Sequence, residues 1–312
     1  MKRYIRKRLA GFLMVMVGVS ILSFLLIAFS GRDPAEIIAR RANTNATTEM
    51  IESIRVEMGL DKPLPVQYIR WIKGLFTGDM GMSIYSYQPI AKDLAEYFPT
   101  TFCMVGLALL WILLLAIPTG FLCARFRNSG FDHAVRGITI FGICLPTFWL
   151  GFLLLLAFAV KLSLFKVLPE PGIKGYILPS FTLAVPVACS MVRLFRSTLL
   201  AELSSDYVRY ARARGLSPRR ILIYHVMRNA LPLIITVFCQ YLGYLIAGSA
   251  VVESVFSMKG VGSYLIGCVI ASDASAVATC TVIIAAIFVL ANLAGDVINR
   301  VLCPWMVRES NV

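Results

Sequence analysis

Long uncharged stretches alternate with basic and turn-rich segments along this chain of 312 residues, and that alternation sets its architecture. Residues 9–30 carry no charged side chain, and further apolar runs fall at 101–124, 137–160, 177–191, 231–252 and 277–293. A helix of about 20 apolar residues crosses a hydrocarbon core of about 30 Å. The pattern therefore predicts six spanning helices and an all-α, polytopic membrane protein. The fourth run is short and contains Pro179 and Pro186, while Pro118 and Pro146 lie in the second and third. Proline inside a span predicts a kink or a broken helix, because its missing N–H leaves a carbonyl to be satisfied by neighbours.

The segment 31–99 is the longest polar stretch, and it carries helix signals. Thr47 or Thr48 can cap a helix that runs to about Met58 and stops at Gly59. Val66, Ile69, Trp71, Ile72, Leu75 and Phe76 then recur near helical spacing, before a turn-rich stretch with Gly78, Asp79, Gly81 and Ser83. A small external domain is expected at 31–99, between a first segment 1–30 and a five-helix core 100–312. A cleaved leader competes for 1–30, since Ala28 and Ser30 form a small-x-small site, but the uncharged run is longer than a leader's usual apolar region. It is read as an anchored span.

Composition supports lipid as part of the solvent: 58% of residues are hydrophobic, 15% are charged and mean hydropathy is +0.78. The net charge of +13 raises the question of nucleic acid, and the placement of the charges answers it. Of the 30 Lys and Arg residues, 18 fall on the side of the N-terminus, in 1–8, between spans two and three, in 193–228 and at the C-terminal end. The other 12 are matched by 12 acidic residues on the opposite side. This asymmetry puts both termini in the cytoplasm. No nucleic-acid partner is needed.

Eight cysteines, Cys103, Cys123, Cys144, Cys189, Cys239, Cys268, Cys280 and Cys303, are scattered without metal-ligand spacing and read as small buried hydrophobes. His133 and His225 lie far apart, so no metal site is expected. No GxxxxGK[ST] phosphate loop is present, and no catalytic constellation is legible.

The most informative stretch is the loop 202–232, ELSSDYVRYARARGLSPRRILIYHVMRNALP. Ser204 or Ser205 can cap a helix through Arg214, Gly215 lies past its end, and Ser217 with Pro218 starts a second. Val208, Ala211 and Tyr207 share one side of the first helix, offering a small face to a partner, while Arg209, Arg212 and Arg214 form a basic rim. A plain basic loop would account for the charge but not for the caps, the glycine or the prolines.

At this point the chain resembles a known family, the inner-membrane permeases of binding-protein-dependent importers in the dipeptide, oligopeptide and nickel branch. The family motif DYVRxARAxGL, followed by a basic helix and RNAL with a proline, is matched by Asp206, Tyr207, Val208, Arg209, Ala211, Arg212, Ala213, Gly215 and Leu216, then by Arg228, Asn229, Ala230, Leu231 and Pro232. GLDKPLPVQY, GDMGMS and VESVFSMKGVG are further family marks in order along the chain. The chain departs from the wider pattern at Arg209, Tyr210 and Ala211, at Lys259, at Gly31, Arg32, Asp33 and Pro34, and at Cys303, Pro304 and Trp305.

The resemblance implies a type I importer permease fold and a cytoplasmic coupling loop that docks on an ATP-hydrolysing subunit. Arg214, Pro218, Arg219 and Arg220 join the motif residues as coupling candidates. It also implies a second homologous permease, two ATPases that use ATP and magnesium, an external solute-binding protein and a bacterial or archaeal cytoplasmic membrane. No cofactor is expected in this chain, and peptides or nickel chelates are the expected cargo. The external segment either docks the binding protein or caps the bundle. Ser190, Gln240, Gly243 and Ser249 are candidates for the translocation path. The alternative is an ion-coupled secondary transporter working without an ATPase. Such a protein would be expected to carry an ionisable group within a span, whereas Glu253 and Asp296 fall at span ends.

Overall fold

The computed structural model describes residues 2–29, 31, 33–42 and 46–302. Ser30, Arg32, residues 303–305 and the side chains of the basic run 2–8 lie outside the described residues. Thirteen α-helices are present among the described residues, with no strand beyond an isolated bridge between Met82 and Pro89. Five are long and apolar enough to span a membrane, or six if the bent pair Gly130–Cys144 and Thr147–Lys161 counts as one span.

Two compact units divide the chain. The first comprises the described residues up to Pro99 together with 263–286. It begins with α1 (Lys2–Ala28), α2 (Pro34–Ala42), α3 (Thr48–Met58) and α4 (Leu64–Thr77). Thr47 caps α3 by accepting from Met50 N at 3.3 Å, and Gly59 ends it in the left-handed region. The start of α5 (Ile90–Arg125) closes this part, and buried Ile90 and Leu94 pack with Tyr264, Cys268, Ala276 and Cys280. Tyr97 stacks on Tyr264 with ring centroids 5.0 Å apart. The Asp273 carboxylate accepts from Ser83 Oγ at 2.7 Å and from Tyr85 N at 3.1 Å, fixing the turn that precedes α5.

The second unit comprises 100–262 and the described residues from Ile287 onward. Its third span does not run straight. Helices α6 (Gly130–Cys144) and α7 (Thr147–Leu154), the latter continued by a π-helical turn Leu155–Lys161, meet at an angle of 103°. Pro146 causes the break: it lacks the N–H, and it holds Leu145 extended at φ −70° and ψ 124°. The fourth span corrects the sequence reading in its length and shows no break. Helix α8 (Lys174–Leu203) continues unbroken through Pro179 and Pro186 for 30 residues, twice the length of the apolar run. Tight packing holds it there, with Leu178, Thr182, Val187, Met191 and Phe195 all buried. Pro118 likewise leaves α5 continuous.

Helix α8 is the centre of this unit, packing against α6, α7 and α11 (Met227–Val255). Glycines allow the close approach: a Cβ at Gly142 would meet Cys189 Sγ at 2.5 Å, and one at Gly120 would meet the Phe195 ring at 2.8 Å. The remaining elements are α9 (Asp206–Ala213), α10 (Pro218–Arg220), α12 (Val261–Ile270) and α13 (Ala274–Leu302). The cysteines are not uniformly buried. Cys123, Cys268 and Cys280 are, but Cys103 and Cys144 are exposed on apolar helices, where a lipid-facing thiol needs no protein cover.

Candidate functional site

The loop 202–232 folds as helix, turn, helix. Ser205 holds the N-cap position of α9 with extended backbone, φ −71° and ψ 158°, but its hydroxyl does not cap the helix. Ser205 Oγ donates to Glu202 O at 2.6 Å instead, and Ser204 Oγ donates to Ala201 O at 2.7 Å. This corrects the expected serine cap, because both hydroxyls are spent on the last turn of α8. Helix α9 ends in a glycine turn: Gly215 has φ +78°, its N–H donates to Arg212 O at 2.9 Å, and Leu216 N donates to Ala211 O at 3.2 Å. Ser217 and Pro218 then start α10, which passes through a π-helical segment Ile221–Val226 into α11.

Val208 and Ala211, expected to offer a small face to a partner, are buried within the chain itself. Helix α9 packs against the π-helical segment, in which Ile221, Leu222 and Val226 are likewise buried. Tyr207 anchors the same side, its hydroxyl donating to Glu202 Oε2 at 2.8 Å. Burial pushes the Tyr207 phenol above its ordinary pKa, which keeps it a neutral donor. The face left outward is therefore Asp206, Arg209, Tyr210, Arg212, Ala213 and Arg214, followed by Gly215, Pro218, Arg219 and Arg220, with Leu216 half-buried. The Arg214 guanidinium lies 5.7 Å from the Tyr210 ring centroid. Beside this face opens a cleft of about 700 Å³ lined by Tyr207, Arg220, Tyr224, His225, Arg228 and Asn229. Buried on its inner side and basic on its outer side, the loop presents cationic donors that can pair with acidic or hydrogen-bond-accepting groups.

The four path candidates separate. Gln240 is exposed on α11 and Ser190 is half-buried on α8, its hydroxyl donating to Pro186 O at 3.1 Å. Gly243 is buried against the Phe288 ring, and Ser249 is buried with its hydroxyl donating to Glu253 Oε1 at 2.8 Å. Both therefore face the chain's own packing.

Two polar constellations escaped the sequence reading. Arg196 on α8 forks onto Asp132 at the start of α6, with Nε to Oδ1 at 2.6 Å and Nη2 to Oδ2 at 2.7 Å. Ser129 caps α6 through Asp132 N at 3.2 Å, so an S-x-x-D capping box was the available signal. The second centres on Glu253, fully buried near the end of α11, where Thr101 Oγ1 donates to it at 2.7 Å. Among the described residues, no group of three or more His, Cys, Asp or Glu side chains is placed to hold a metal ion.

Five apolar spans and a bent helix pair, a centre packed through glycines and an outward basic loop together define a polytopic membrane transport component. The chain belongs to the family of binding-protein-dependent transport system inner membrane components, whose model matches residues 116–308, with the N-terminal model of the same family matching 1–105. It is 34% identical over 304 residues to the glutathione transport system permease protein GsiC of Escherichia coli, covering 97% of this chain and 98% of that one. The GsiC protein of Salmonella paratyphi A matches to the same extent, 34% over 304 residues, with the same coverage of both chains. The fold is shared with the MetNI methionine ABC transporter in inward-facing conformations, with a TM-score of 0.58 and 22% identity over 69% of this chain and 98% of that one. The chain is thus a multi-pass permease component of a bacterial ATP-driven importer, with the ATPase on separate subunits and a binding protein as a further partner.

Proposed function

We propose that this permease imports small peptides, and that the loop 202–232 is where ATP hydrolysis in a partner is transmitted to its spans. The observation that carries this reading is the division of the loop: Val208 and Ala211 are buried on α9, which packs against the π-helical segment leading into α11, while Arg209, Arg212 and Arg214 stay outward. A force applied to the outer face has a packed route into a spanning helix. The similarity to glutathione permeases favours a peptide of two or three residues over a metal chelate. On this reading the loop and both termini are cytoplasmic. The chain pairs with a second homologous permease, and two ATPase subunits bind ATP and magnesium.

The test is purification of the tagged chain in mild detergent with identification of stoichiometric partners, followed by reconstitution and uptake of labelled glutathione, a dipeptide and a nickel chelate. A sister permease, an ATPase and peptide uptake are expected. The chain purified alone, with uptake driven by an ion gradient, would overturn the ATP-driven reading, and uptake of the nickel chelate alone would overturn the cargo.

A further inference from the structure

Where α6 packs on α8, at the end nearest the loop 202–232, a cavity of about 320 Å³ is lined by Arg136, Arg193, Leu194, Arg196 and Ser197. Three guanidinium groups thus meet around one space. Asp132 offsets one of them, since both of its oxygens are committed to Arg196. The cavity wall therefore keeps two positive charges in excess. Arg193 is exposed and makes no ion pair or hydrogen bond among the described residues. Arg136 is half-buried, and its Nε is shut away from solvent with no hydrogen-bond partner among the described residues. A buried donor left unpaired is costly, and more so on a cation.

The uncharged run 137–160 starts at the residue after Arg136, and the run 177–191 ends two residues before Arg193. Both guanidinium groups therefore stand where hydrocarbon gives way to lipid headgroups. Helix α6 is buried along one face, by Asp132, Thr139 and Gly142, with Gly142 against Cys189 of α8. Its exposed large side chains past Arg136 are Ile138, Ile140, Phe141 and Ile143, all apolar, which is the composition of a lipid-facing surface. At about 100° per residue, Ile140 and Ile143 lie within about 40° of Arg136, one and two turns further into the hydrocarbon. An acyl chain lying on these two isoleucines brings its phosphate to the arginines.

We propose that this cavity binds the phosphate of an anionic phospholipid, held by Arg136 and Arg193 while Arg196 keeps Asp132. Guanidinium donors match phosphate oxygens in pairs, and a phosphate oxygen supplies Arg136 Nε with an acceptor. Basic residues at a membrane boundary attract anionic lipid in a general way, but such side chains reach into water and leave no donor buried. A lipid, rather than a soluble anion, is the occupant because the isoleucines that continue the Arg136 side of α6 suit an acyl chain. The bound lipid would brace the end of α8 that leads into the loop 202–232.

The test uses the full chain in the complex with which it purifies, delipidated in neutral detergent and titrated with phosphatidylglycerol, phosphatidylcholine or inorganic phosphate, with bound lipid counted by native mass spectrometry. One phosphatidylglycerol per chain is expected to bind ahead of phosphatidylcholine and to resist displacement by inorganic phosphate. Arg193→Gln should weaken it about fivefold, and Arg136→Gln combined with Arg193→Gln about thirtyfold, from the attraction each basic residue near a membrane exerts. Arg193 has no partner to lose, so its single variant keeps the fold and still reads the site. Arg127→Gln removes the same charge from an exposed position outside the cavity and should change little. Equal weakening by Arg127→Gln would overturn the proposal by showing diffuse attraction. Displacement by inorganic phosphate would overturn it in favour of a soluble anion, and a complex that takes up no phosphatidylglycerol would give the cavity to a partner chain.

Discussion

The Thr101 hydroxyl donates to the Glu253 carboxylate at 2.7 Å, and neither residue has any exposed surface. Ser249 Oγ donates to the same oxygen at 2.8 Å, and Val261 N donates to Thr101 Oγ1 at 2.9 Å. Met258 N donates to Glu253 O at 2.8 Å, so one residue organises the end of α11, the following turn and a point on α5. Replacing Glu253 by alanine leaves the buried Thr101 hydroxyl without this acceptor, while Ser249 Oγ keeps Ile246 O at 2.9 Å, at a cost of about 1–3 kcal/mol. The thermal midpoint of the purified Glu253→Ala chain should fall clearly, and that of Glu253→Gln less, because the amide keeps a carbonyl oxygen. Equal midpoints for all three proteins would remove the structural role of this carboxylate.

Gly260 lies so close that a Cβ there would strike the Glu253 carboxylate itself. The carboxylate is held by two hydroxyls and has little room to yield, so Gly260→Ala should destabilise. Gly248 supplies the control, since its Cβ would find only Leu183 Cδ1 at an ordinary 3.9 Å. Matched melting curves should show a loss of about 1–3 kcal/mol for Gly260→Ala from overpacking and little change for Gly248→Ala.

The spans and the loop were legible because their signals are local. Charge-free runs, the glycine at 215 and the Ser217–Pro218 start are each written within a few residues of one another, and α9 and α10 fall where those signals put them. Long-range pairings were not legible. Nothing near Ser83 announces that Asp273 will accept its hydroxyl, and nothing near Asp132 names Arg196 as its partner. Proline was read as marking a kink or a break, and nothing local distinguishes Pro146, which breaks a span, from Pro186, which sits inside a continuous helix. The inward turn of Val208 and Ala211 was hidden for a related reason. A helix pattern identifies an apolar face but not whether the chain or a partner covers it.

The Arg196–Asp132 fork holds α8 to α6 at the end nearest the loop, with Asp132 wholly buried. Removing one partner leaves a buried charge, which costs about 3–5 kcal/mol. Asp132→Ala and Arg196→Ala should each lower the thermal midpoint strongly, and the double variant should lose less than the sum. Arg196→Lys should rescue only in part, because an ammonium cannot reproduce the bidentate geometry. Additive losses in the double-mutant cycle would show that the pair is not energetically coupled.

Ala211 and Ala213 lie two residues apart on α9, one buried and the other exposed. Ala211→Leu overpacks the contact with the π-helical segment at about 1–3 kcal/mol and should lower the stability of the isolated permease. Ala213→Leu should leave that stability unchanged while reducing copurification of the ATPase. If Ala213→Leu retains the full complement of ATPase, the outward face of α9 is not the docking face.

Gly215 tests how the turn itself works. Its φ of +78° is costly for a side chain, yet a Cβ there would meet nothing within 4 Å. The constraint within this chain is therefore backbone conformation, worth about 1–2 kcal/mol for an ordinary L-residue. Gly215→Val should remain in the membrane and its partner ATPase should hydrolyse ATP without import, whereas Gly215→Asn should keep import because asparagine tolerates the left-handed region. If valine and asparagine impair import equally, the limit at this position is close approach of a partner rather than φ. The glycine would then mark contact with the ATPase directly.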